Sequence, residues 1–163
     1  MKTSQDKTEA LSSNGTGQHR KQEFLIVGIG ASAGGVQALQ EFFQHVPANS
    51  GIAYVVILHL SPDHDSHLTQ VLQRESQIPV TQVTEKIHIK PDNIYVVSPN
   101  QHLTMQDGYI LVSANLNVEE RRAPVDIFFR PLAEAHGARS VCVVLSGTGA
   151  EELTVIRQRT SRS

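Results

Sequence analysis

The sequence predicts an α/β fold, a doubly wound and mostly parallel sheet with helices on both faces. Three observations point to it. First, the runs "FLIVGIG" (24–30), "IAYVVILHL" (52–60) and "SVCVVL" (140–145) are continuously apolar, the mark of strands buried on both faces. Second, helix-periodic segments follow the first two runs and precede the third. Third, every run ends in a polar or small-residue stretch, where parallel strands converge on a ligand crevice. A Rossmann-like, three-layer arrangement with right-handed crossovers is the expected result.

In chain order, residues 1–22 are rich in Ser, Thr, Gln and Gly and nearly free of large apolar groups. Such a segment cannot offset its ordering entropy and reads as a disordered lead. The first strand then enters "GIGASAGG", read as a small-residue loop that holds one hydroxyl, Ser32. "GGVQALQEFFQHV" places Val36, Leu39, Phe42, Phe43 and Val46 at helical spacing, and Pro47 closes it. After the second strand, "SHLTQVLQRES" repeats the pattern through Leu68, Val71 and Leu72, with Ser66 the expected N-cap.

The middle changes character. "IPVTQVT", "NIYVVSP", "LTMQ" and "YILVS" are short β-rich pieces divided by turn residues such as Pro91-Asp92-Asn93 and Asp107-Gly108. They predict small strands and at least one hairpin. A loop crosses "NLNVEERRAP", and "VDIFFRPLAEAHG" reads as a helix with Gly137 just past its end. Pro131 within it allows a kink or restart. The third long strand runs into "SGTGA", and the tail is too short for another strand–helix unit.

Composition narrows the function. The chain has 163 residues, enough for one self-supporting core, and a net charge of -2, which lacks the basic footprint of a nucleic-acid binder. No apolar run approaches the roughly 18 residues that cross a bilayer, and no signal peptide is visible, so no membrane insertion and a cytoplasmic location are expected. One cysteine, Cys142, excludes an internal disulfide and a cysteine zinc site. Flanked by valines, it reads as a buried structural thiol.

Ser32, His59 and Glu151 follow the three long strands and could meet as nucleophile, base and orienting acid. Two rivals stand beside that triad. "GIGASA" satisfies G-x-G-x-x-A through Gly28, Gly30 and Ala33, a dinucleotide fingerprint, but His59 stands where a ribose-binding acid is wanted. His59, His64 and His67 with Asp63 and Asp65 could hold a metal, although His64 and His67 read better as solvated residues at a helix start. His45, His88, His102 and His136 are expected at the surface. Arg121 and Arg122 form a short basic pair in a loop.

"GIGASAGG", "ILHLSPDHDSHL", "APVDIFFRPLAEAHG" and "VVLSGTGA" occur in the order seen in chemotaxis protein-glutamate methylesterases, which this chain resembles from about Phe24 to Ala150. The resemblance to this CheB family implies a serine hydrolase that removes methyl esters from chemoreceptor glutamates, in some members also deamidating glutamines, without metal or organic cofactor. It implies Ser32 as nucleophile, His59 as the triad histidine, and an oxyanion hole from the backbone N–H groups of Ala33 and Thr148. A methylated receptor is the implied substrate. The loop after the second strand looks like that of CheB domains fused to methyltransferase and sensor modules, which implies such a module as a partner.

Two departures bear on that expectation. The family carries Asp-Gly where this chain has Glu151-Glu152, so Glu151 is the acid to be tested. The family-like domain is placed at 23–151, and 152–163 reads as a divergent tail, with the final elements of the fold missing and an apolar sheet edge expected. A truncation or a frame slip in the coding DNA would explain it. The lead is too short to form the receiver domain of the classical chemotaxis arrangement. A non-catalytic receptor-binding remnant and a dinucleotide-binding domain are the alternatives.

Overall fold

The computed structural model describes residues 24–59, 65–98, 101–113, 124–145 and 153–156. In chain order these form β1 (Ile26–Ser32), α1 (Val36–Gln44), β2 (Ala53–His59), α2 (Asp65–Glu75), β3 (Val80–Val83), β4 (Ile87–His88) and β5 (Asn93–Val97). There follow β6 (His102–Gln106), β7 (Tyr109–Ser113), α3 (Pro124–His136), β8 (Ser140–Leu145) and β9 (Leu153–Ile156). The main sheet has the order β3-β5-β2-β1-β8-β9, and a three-stranded sheet has the order β4-β7-β6. In the main sheet the pairings β3–β5, β5–β2, β2–β1 and β1–β8 are parallel, and β9 runs antiparallel to β8.

Strand alternation divides the core in two. Val27, Ile29, Ala31, Tyr54, Val56, Leu58, Ile94, Val96, Val143 and Leu145 point to one face and pack with Leu39 and Phe43 of α1 and Leu68 and Leu72 of α2. Ile26, Ala53, Val55, Ile57, Tyr95, Val97 and Cys142 point to the other. There they meet Phe128 and Leu132 of α3 and Leu103, Met105 and Ile110 of the small sheet. The layering is that of a doubly wound fold, as the three apolar runs predicted. Two of the short middle pieces, β3 and β5, join the parallel sheet. β6 and β7 make the expected hairpin, with positive φ at both Asp107 and Gly108, as a two-residue turn of the type I′ class requires.

Several local expectations are corrected. β1 does not stop before the glycines but runs through them to Ser32. Gly28 lies in mid-strand because a Cβ there would sit 2.6 Å from Leu132 Cδ2 and 2.7 Å from Phe128 Cε1. Its absent side chain lets α3 lie against β1. α2 begins at Asp65, which puts Ser66 inside its first turn rather than at the cap. α3 continues through Pro131 as one helix, and Gly137 takes the left-handed φ of +52° at its end.

His136 is not a surface residue. It is half-buried, its Nε2 is sealed and meets no hydrogen-bond partner among the described residues, and burial, aided by Arg139, lowers its pKa. At the sheet edge, the segment 152–163 supplies β9, so β8 is paired on both sides instead of open on one. Residues 114–123, with Arg121 and Arg122, lie outside the described residues, as do residues 1–22.

Candidate active site

Ser32 ends β1 in extended conformation (φ -79°, ψ 172°), and a single 3-10 turn over Ala33–Gly35 leads straight into α1. The turn is tight because Gly35 presses against β8, where a Cβ would meet the Leu145 carbonyl oxygen at 3.2 Å. The residue is exposed, and its hydroxyl does not cap the turn that follows. Ala33 opens the turn, so the turn's own ladder leaves its N–H unused.

His59 ends β2, and its Cα is the register partner of the Ser32 Cα across the parallel pair. Adjacent strands lie about 4.8 Å apart. The two residues are therefore neighbours at the carboxyl edge of the sheet, delivered there by strands of equal reach. β8 ends beside them, with Leu145 level with Ala31. The chain that carries Thr148 and Glu151 leaves from that point, and both of these residues lie outside the described ones. The edge at β1 and β8 is also where the strand order reverses, since the chain winds from β1 toward β2 and β5 and later returns to β8 on the other side. Open α/β sheets place ligands at such a point.

On the far side of β2, β5 ends with Val97 level with Ile57. Its exit is pinned: Gln82 Nε2 donates to Ser98 Oγ at 3.2 Å, and the Gln101 N–H donates to the Ser98 carbonyl at 3.1 Å. The Gln101 side-chain oxygen is buried and meets no donor among the described residues. Sequence reasoning missed this corner, because "SPNQ" reads as an ordinary turn until β5 is known to lie beside β2.

The competing nucleophile is out of reach of solvent. Cys142 is buried at mid-strand, level with Gly28, and burial pushes its thiol up to about 11. The dinucleotide reading loses its geometry. Gly28 and Gly30 lie inside β1 rather than in a turn over a helix start, so no phosphate cradle forms on them. His67 is exposed on α2, Asp63 and His64 lie outside the described residues, and no cluster of three His, Cys, Asp or Glu suited to a metal occurs among those described. No described helix is long and apolar enough to cross a membrane.

Known proteins share this architecture. The family model for the CheB methylesterase matches residues 27–160, ten residues beyond Ala150. A protein-glutamate methylesterase/protein-glutamine glutaminase 2 of Xanthomonas oryzae pv. oryzae is 33% identical over 128 residues, 76% of this chain and 36% of that protein. A Leptospira interrogans relative is 29% identical over 134 residues, 80% of this chain and 69% of its own. The crystal structure of the Thermotoga maritima CheB methylesterase catalytic domain superposes with a TM-score of 0.68 at 26% identity, covering 78% of this chain and 70% of that one.

Proposed function

The chain belongs to the CheB methylesterase family, and from that premise we propose that it is a carboxylic-ester hydrolase acting on glutamate methyl esters of a chemoreceptor-type protein, with Ser32 as nucleophile and His59 as general base. The observation that carries the reading is the register of Ser32 with His59 at the carboxyl ends of adjacent parallel strands.

In this reading Ser32 Oγ attacks the ester carbonyl while the His59 imidazole takes its proton. The oxygen that becomes negative is met by the Ala33 N–H, a donor fixed in place before reaction, together with the N–H of Thr148. The His59 proton passes to the departing methoxy group, and methanol leaves an acyl-enzyme on Ser32. Water, deprotonated by His59, then releases the glutamate carboxylate. Glu151 takes the position of the acid that holds the imidazole's tautomer. No step calls for a metal or an organic cofactor.

Purified protein incubated with a methyl-esterified receptor fragment should release methanol, and Ser32→Ala should reduce that release by at least a thousandfold, the order seen when a hydrolase nucleophile is removed. Equal release by the two proteins would take Ser32 out of the mechanism.

A further inference from the structure

We draw no further inference here: the strongest candidate, the side-chain cluster of Lys86, His88 and Tyr109 on the small β4-β7-β6 sheet, is a patch whose groups contact one another, and nothing in the structure shows what covers it.

Discussion

Cys142 and Ser32 are both potential nucleophiles, and depth in the sheet separates them. Cys142 packs at mid-strand in the cluster that contains Phe128 and Leu132, and its thiol is raised to about 11 by burial. Ser32 stands exposed at the strand end. Ellman's reagent at about pH 8 should therefore leave the folded chain unmodified and titrate one thiol only after denaturation. His136 shows a related effect with a pH signature. Its pKa is lowered from 6.5 by burial first and by Arg139 second, so the unfolded chain binds the extra proton more readily. Its contribution to stability is present above pH 6.5 and is lost as pH falls through the folded value. Denaturant melts at pH 7 and pH 5 should show wild-type stability dropping more than that of His136→Gln; equal drops would mean the ring titrates as it does in the unfolded chain.

At the scale of elements, the glycines of β1 illustrate how far local pattern goes. Glycine-rich sequence after an apolar run reads as a loop because glycine is costly in a strand. Here the strand persists, since α3 needs the space that a side chain at Gly28 would fill. Nothing within ten residues of Gly28 announces that partner, which arrives a hundred residues later. Gly28→Ala should cost about 1–3 kcal/mol in urea unfolding by forcing Leu132 and Phe128 aside; an unchanged midpoint would mean α3 is free to shift. The small sheet has a comparable anchor. Tyr95 Oη accepts the Lys90 N–H at 2.9 Å and lies 3.4 Å from the His88 carbonyl, tying β5 to the chain that leaves β4. Tyr95→Phe should lower stability by about 1–2 kcal/mol with the packing of the ring retained. β4 itself escaped notice because two residues carry no periodicity, and β9 because its four residues gain a place only from the edge of β8.

For the molecule as a whole, the long buried strands and their helices were legible because burial on both faces leaves an unbroken apolar run. The same runs marked Ser32 and His59, each standing where apolar sequence gives way to polar. What the pattern could not supply was lateral order. That β2 lies between β1 and β5, with Ser32 and His59 as register partners across β1 and β2, is a property of the assembled sheet. In the proposed mechanism this order makes Ser32 and His59 act as one unit. The most direct measurement is methanol release from a methyl-esterified receptor fragment by wild type, Ser32→Ala, His59→Ala and the double variant. Residues that act as a unit are strongly non-additive. Each single variant should lose nearly as much as the double. Losses that multiply between the two sites, or activity retained in either single variant, would contradict it.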